Sequence, residues 1–318
     1  MRALVTGGSG FVGQHLIRHL VACSDSVTAT FQSSERHWSL PQIPSVAWQE
    51  LNIADAALFR SFLRDNSFDV VYHLAGMAFV PEAEEHFDRA LAVNVGGTHT
   101  LFDTVSRKKS PPRVIVVSSA EVYGAISPEH LPLREDAPCR PANNYSLTKR
   151  MAELVVERYG TVSSAVMRPF NHIGPQQNER FVAPNFALQL ARIAAGRSEP
   201  TLKVGNLDAR RDFTDVRDIV RAYRLAAVWL ENNQRGLFNL GSGSARPVQE
   251  ILDTLISVSG VKVTKMPNPE RMRPSEVPEV WADISRARSL LKWSPEYSLI
   301  DTLTDVYRCA QERITAEG

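Results

Sequence analysis

A chain of 318 residues is long enough for about two ordinary domains, and folding at that size buries roughly 75% of the surface the unfolded chain would expose. Hydrophobic residues make up 43% and charged residues 22%, a balance that excludes disordered, collagen-like and low-complexity classes. The 36 Lys and Arg nearly cancel the 35 Asp and Glu; a formal charge of +1 sets up no field toward nucleic acid or anionic lipid, so the partner expected is a small molecule.

Arg2–Thr6 reads as a first strand, and Phe11–Ala22 as a helix carrying Val12, Leu16, Ile17, Leu20 and Val21 on one face. Glycines at 7, 8, 10 and 13 interrupt this apolar opening, so no secretory leader is expected, and no run approaches the roughly 20 residues of a membrane span. Further strands are predicted over residues 26–30, 46–49, 69–72, 113–117 and 163–167, with helices over 54–65, 82–108 and 143–159. This alternation predicts an α/β fold, a Rossmann-type doubly wound parallel sheet. A helix over 215–231 and a strand over 237–240 rejoin the sheet after an excursion rich in Pro and Arg. The division expected is a dinucleotide-binding domain of residues 1–167 plus about 215–242, and a smaller α/β substrate-binding lobe of 168–214 and 243–318. Residues 266–278, dense in proline and charge, read as a solvated loop. Cys23, Cys139 and Cys309 are odd in number and far apart, which suits neither a disulfide framework nor a metal cluster and points to a reducing, cytoplasmic setting. The eight His are scattered without ligand spacing, so no metal is expected.

Between the first strand and first helix stands Gly7-Gly8-Ser9-Gly10-Phe11-Val12-Gly13. Gly7, Gly10 and Gly13 let the backbone approach a pyrophosphate, and the helix start offers the unpaired N–H groups of Phe11 and Val12 to the anion. After the second strand no acid is present to bind a ribose 2′-hydroxyl; Ser33, Ser34 and Arg36 suit a 2′-phosphate, so NADP is expected rather than NAD. Tyr145 and Lys149 lie four apart on one helix face, downstream of Ser119 at a strand end. A free phenol with a pKa of about 10 is a poor acid or base at neutral pH. Lys149 is expected to lower that value in Tyr145, with Ser119 binding the same substrate oxygen.

With these motifs, and with His73-Leu74-Ala75, Asn94-Val95-Gly96-Gly97-Thr98 and Arg168-Pro169-Phe170-Asn171, the whole chain resembles the extended short-chain dehydrogenase/reductases that act on nucleotide sugars. The resemblance implies that Asn52 and Ile53 lie near the adenine, that Ala75, Gly76 and Asn94 line the cofactor, and that Lys149 also bonds the nicotinamide ribose. Residues 170–175, 204–218 and 271–278 look like the GDP-mannose branch, nearest to its GDP-4-keto-6-deoxymannose reductases and next to its 4,6-dehydratases. Asn171 and Asn185 then become substrate contacts, Arg211 and Arg273 forks for a diphosphate, and Glu276 an acceptor for ribose hydroxyls or base N–H groups.

The activity implied is NADPH-dependent reduction of the C4 ketone of a GDP-linked deoxyhexose, giving GDP-D-rhamnose or its C4 epimer GDP-6-deoxy-D-talose. Glu121 keeps the dehydratase open, because it occupies the place of the extra acid/base that elimination of water requires, although dehydratases usually carry Thr where Ser119 stands. A 4-epimerase holding NAD tightly is a third reading. A catalytically silent dinucleotide sensor is a fourth, opposed by the presence of both Tyr145 and Lys149. The resemblance, with Phe87, Leu91, Val95, Leu101 and Phe102 on one expected helix and Leu154 and Val155 on another, further implies a homodimer paired through a four-helix interface.

Overall fold

The computed structural model describes residues 1–32, 43–268 and 278–317. A seven-stranded sheet runs in the order β3-β2-β1-β4-β5-β6-β11, with every neighbouring pair parallel. Its members are β1 (Arg2–Thr6), β2 (Ser26–Phe31), β3 (Val46–Glu50), β4 (Val70–His73), β5 (Arg113–Val117), β6 (Ser164–Pro169) and β11 (Arg235–Leu240). Side chains two apart share a face, so Ala3 and Val5 of β1 enter one core layer while Leu4 enters the other. The first layer is built with Leu16, Ile17 and Leu20 of α1 (Phe11–Ala22) and Ile219, Val220 and Tyr223 of α8 (Val216–Trp229). Opposite them, Phe59 and Leu63 of α2 (Ala56–Asp65), Leu101 and Phe102 of α5 (Gly97–Val105) and Val156 of α6 (Asn144–Arg158) close the sheet's other face.

The helix expected over 82–108 is broken. It consists of α3 (Val80–Glu85), α4 (Phe87–Ala90), a π-helical turn over Leu91–Gly96 and then α5. The π turn widens the ladder at Asn94, whose side chain is pulled into bonds with a neighbouring loop.

A second core holds Ala187, Leu190 and Ala191 of α7 (Val182–Ala194), Ile251, Leu252 and Leu255 of α9 (Val248–Ser259), and Leu303 and Val306 of α11 (Leu299–Ala316). Short strands surround it: β7 (Asn171–Ile173) pairs β10 (Phe213–Asp215), β8 (Thr201–Val204) pairs β13 (Thr264–Pro267), and β9 (Arg210–Arg211) joins β12 (Arg246–Pro247) to β14 (Glu279–Val280). Helix α10 (Ser285–Leu291) packs beside α8 on the first layer. The loop reading of 266–278 is corrected at its start, because Met266 and Pro267 belong to β13 and pair Lys203 and Val204.

Candidate active site

All seven strands point their C-terminal ends the same way, and connections diverge in opposite directions at β1 and β4, which opens a crevice at the switch point. Gly7, directly after β1, takes φ +71°, and a Cβ there would lie 2.9 Å from the backbone of Ala75, directly beyond β4. Any side chain at Gly13 would strike the Gly7 carbonyl. Helix α1 has no side-chain cap, and its first bond runs from the Gln14 N–H to the Gly10 carbonyl at 3.0 Å. The Gly7 and Gly8 amides are used by Thr30, at 3.3 and 2.8 Å, whereas those of Phe11, Val12 and Gly13 have no partner within the helix. A narrow cradle with unpaired donors at a helix start fits the pyrophosphate of a dinucleotide.

Ser119 caps the short helical turn after β5; its hydroxyl accepts the Glu121 N–H at 3.1 Å and acts on the Tyr145 phenol. Asn143 and Ser146 start α6 with a reciprocal capping box, which sets Tyr145 in the first turn and Lys149 one turn on. Lys149 donates from Nζ to the Val117 carbonyl at 2.8 Å. A Cβ at Gly76 would lie 3.3 Å from that nitrogen and 2.8 Å from Asn94 Oδ1, so Ala75, Gly76, Asn94 and Lys149 meet at one wall of the crevice.

The expected depression of the Tyr145 pKa is corrected. Burial pushes the phenol up to about 12; the Ser119 hydrogen bond opposes this and the nearby Glu121 charge adds to it. Lys149 is itself pushed down to about 8 by burial, partly offset by Glu153, and its ammonium is turned to Val117. Glu121 is exposed, and its charge acts on both Tyr145 and Arg211.

Two features behind the site were not anticipated. Glu153, two turns along α6 from Tyr145, accepts Arg168 Nε at 2.8 Å and Nη2 at 2.7 Å, the Ser118 hydroxyl at 2.6 Å and Arg150 at 2.9 Å. Burial raises its pKa, but the Arg168 bonds and charge outweigh this and hold it below the usual carboxylate range. The pair locks α6 to the ends of β5 and β6, and the spacing of Tyr145, Lys149 and Glu153 at successive fours was its only trace in sequence. The second is a ring cluster: Phe11 stacks on His172 with centroids 6.1 Å apart and meets His15 edge-on at 5.4 Å, while a His15 ring nitrogen bonds the Pro175 carbonyl at 3.0 Å. Burial lowers both histidine pKa values.

Asn52 and Ile53 follow β3 at the same end of the sheet; the Asn52 side chain accepts the Ala54 N–H at 2.9 Å, and Ile53 is buried against Gly97. Asn171 is exposed at the start of β7, beside Phe213 in register. The Asn185 carboxamide bonds inside its own lobe, donating to the Glu179 carbonyl at 3.1 Å and accepting from Gln189 at 2.8 Å. Ser33, Ser34, Arg36, Arg273 and Glu276 lie outside the described residues.

This fold, with a glycine cradle opposite a Ser119/Tyr145/Lys149 site, defines an NAD(P)-dependent oxidoreductase of the extended short-chain type, in the group that handles nucleotide sugars. The chain belongs to the family described as GDP-mannose 4,6 dehydratase, whose model matches residues 4–306. It is 32% identical over 322 residues to the GDP-6-deoxy-D-mannose reductase of Pseudomonas aeruginosa, covering 99% of each chain. It is also 32% identical over 316 residues to a UDP-glucose 4-epimerase of Azospirillum brasilense, covering 94% of this chain and 89% of the other. Among solved structures, RMD from Pseudomonas aeruginosa complexed with NADPH superposes with a TM-score of 0.84 at 29% identity, over 98% of this chain and 100% of that one.

Proposed function

We propose that this chain uses NADPH to reduce the C4 ketone of GDP-4-keto-6-deoxy-D-mannose, giving GDP-D-rhamnose or its C4 epimer GDP-6-deoxy-D-talose. The observation that carries the reading is the full-length match to a GDP-6-deoxy-D-mannose reductase. Bound in the cleft, the nicotinamide supplies a hydride to C4. Tyr145 then gives its phenolic proton to the C4 oxygen, and a proton from solvent restores it, so one ketone, one NADPH and one proton become one alcohol and one NADP⁺. Burial keeps the phenol protonated, and a proton held this firmly is released to the C4 alkoxide that hydride transfer leaves, a much stronger base. Ser119 orients the ketone oxygen, and Lys149 brings positive charge to the same corner of the cleft. Arg211 and Arg273 receive the substrate diphosphate.

NADP preference is supported by the NADPH held in RMD and by Ser33, Ser34 and Arg36 in this sequence. We further infer a homodimer formed through α4, the π turn and α6. Leu147 and Leu154 are exposed on α6, and Phe87, Leu91, Val95 and Val155 are half-buried. Leu101 and Phe102 drop out of that interface because both are fully buried in their own subunit. A cytoplasmic setting remains our reading; among the described residues no helix is long and apolar enough to cross a membrane.

The 4,6-dehydratase is the second reading, supported by Glu121 beside Tyr145. One assay separates the two. Purified protein is given GDP-mannose alone or GDP-4-keto-6-deoxymannose with NADPH, and nicotinamide absorbance and sugar products are followed. Stoichiometric NADPH consumption with inert GDP-mannose is expected; formation of the 4-keto sugar from GDP-mannose, lost in Glu121→Gln, would reverse the order.

A further inference from the structure

A buried polar chain runs from the pyrophosphate turn to the catalytic helix. The Ala75 N–H donates to Thr6 Oγ1 at 3.1 Å, and Thr6 Oγ1 lies 3.0 Å from His73 Nδ1. On the other side of the ring, His73 Nε2 lies 3.2 Å from Thr98 Oγ1, which donates to the Asn94 carbonyl at 2.6 Å. The Asn94 side chain accepts the Met77 N–H at 2.9 Å and donates to the Met77 carbonyl at 3.2 Å and to Thr148 Oγ1 at 2.9 Å. Thr148 in turn donates to the Tyr145 carbonyl at 2.8 Å. Thr6, His73, Asn94, Thr98 and Thr148 are all buried.

Proton bookkeeping permits one arrangement. The Thr98 hydroxyl has spent its proton on Asn94, so toward His73 it accepts, and His73 carries its proton on Nε2. Nδ1 is then a lone pair that accepts from the Thr6 hydroxyl, whose oxygen accepts from Ala75. Burial, helped by the Lys149 charge, pushes the His73 pKa down to about 3, so the ring stays neutral. A π turn is rare and forms as a single-turn bulge inside an α-helix, and here the turn that carries Asn94 is held from outside through Thr98.

We propose that His73 is a positioning residue with two separable arms: Nδ1 holds the pyrophosphate turn against the strand end at Ala75, and Nε2 holds the π turn that fixes Asn94, Met77 and the start of the Tyr145/Lys149 helix. The inference rests on the reading of this cleft as a dinucleotide site. Each arm can be cut alone. Asn places an acceptor near the position of Nδ1 and removes the donor to Thr98, whereas Gln places a donor near Nε2 and removes the acceptor for the Thr6 hydroxyl.

The test measures NADPH dissociation constants by fluorescence titration and turnover on GDP-4-keto-6-deoxymannose. His73→Gln is expected to weaken NADPH binding about 10-fold with kcat nearly unchanged; His73→Asn is expected to keep NADPH affinity within about 2-fold and lower kcat about 10-fold, through misplacement of the reacting groups. Should either variant fail to fold, Thr6→Val and Thr98→Val cut the same two arms and carry the same expectations. Nitrogen-15 NMR, with the His73 signals assigned by their loss in His73→Asn, should show an unprotonated Nδ1 and a protonated Nε2 that do not titrate between about pH 5 and pH 9. The opposite tautomer, a titration in that range, or variants that lose only thermal stability while dissociation constants and kcat stay as in the parent, overturns the proposal. Parent protein that binds neither NADPH nor NADH would defeat the dinucleotide reading instead, and the NMR result would still decide the tautomer.

Discussion

Tyr145 and Lys149 are set against each other by burial rather than by mutual attraction. With one hydroxyl removed, Tyr145→Phe should lower turnover by about 10²-fold or more while leaving NADPH affinity within about 2-fold; near-normal turnover would rule out Tyr145 as the proton donor. Lys149 titrates at about 8 in the folded protein, against an ordinary value of 10.5. Activity that depends on its ammonium should therefore fall as pH rises through about 8. Its contribution to stability has the opposite sign: the cost of burying the charge is fully present below about 8 and is relieved as pH rises from there toward 10.5. A pH–kcat/KM profile together with melting curves at pH 7 and 9.5 should show the rate declining while this contribution to stability improves. Lys149→Met should remove that part of the stability change; if its melting temperature shifts with pH as the parent's does, Lys149 is not its source. The charge of Lys149 was expected from sequence to act on Tyr145, but a sequence cannot show that Nζ is turned to the Val117 carbonyl.

At the scale of elements, α6 keeps its place by a buried ion pair as well as by its apolar face. Removing the charge of Glu153 leaves Arg168 buried without its counter-ion, and breaking such a pair costs about 3–5 kcal/mol. Glu153→Gln should lower the denaturation midpoint by a corresponding amount, and a midpoint equal to the parent's would show that the pair adds nothing. The turn before α1 has a different sensitivity. Gly13→Ala puts a methyl group into the Gly7 carbonyl, so the cradle must open. NADPH binding is expected to drop below detection in a fluorescence titration while circular dichroism stays native; retained affinity would mean that the pyrophosphate lies elsewhere.

The whole molecule sets a cofactor sheet against a second core of α7, α9 and α11, with Phe11 and His172 stacked across the junction. The proposed dimer is tested on its exposed side chains. Leu147→Glu combined with Leu154→Glu should convert a dimer to a monomer in light scattering at micromolar concentration, and a parent that is already monomeric defeats the interface. NADPH should bind more tightly than NADH, with Arg36→Ala narrowing the gap; equal affinities in the parent would remove Ser33, Ser34 and Arg36 from the site.

Local rules were enough for several elements of the first half of the chain. Short apolar runs alternating with amphipathic stretches mark β1, α1 and β5 with the bounds observed, because the two strands are buried on both faces and the helix on one. The glycine turn and the Tyr145/Lys149 spacing could be read for a related reason: each depends on residue type at short spacing in one stretch of chain. What lay beyond reach depends on partners distant in the chain. Within 82–108 the helix takes a π turn where Asn94 bonds Met77 and Thr148, and no periodicity records that demand. Helices α7, α9 and α11 cover one another around short strands rather than a long sheet, so the alternation that announces the seven-stranded sheet is missing there. The pKa values of Tyr145 and Lys149, the neutral tautomer of His73 and the clamp of Arg168 on Glu153 were decided only by tertiary structure, because burial and hydrogen-bond geometry exist only once the chain has folded.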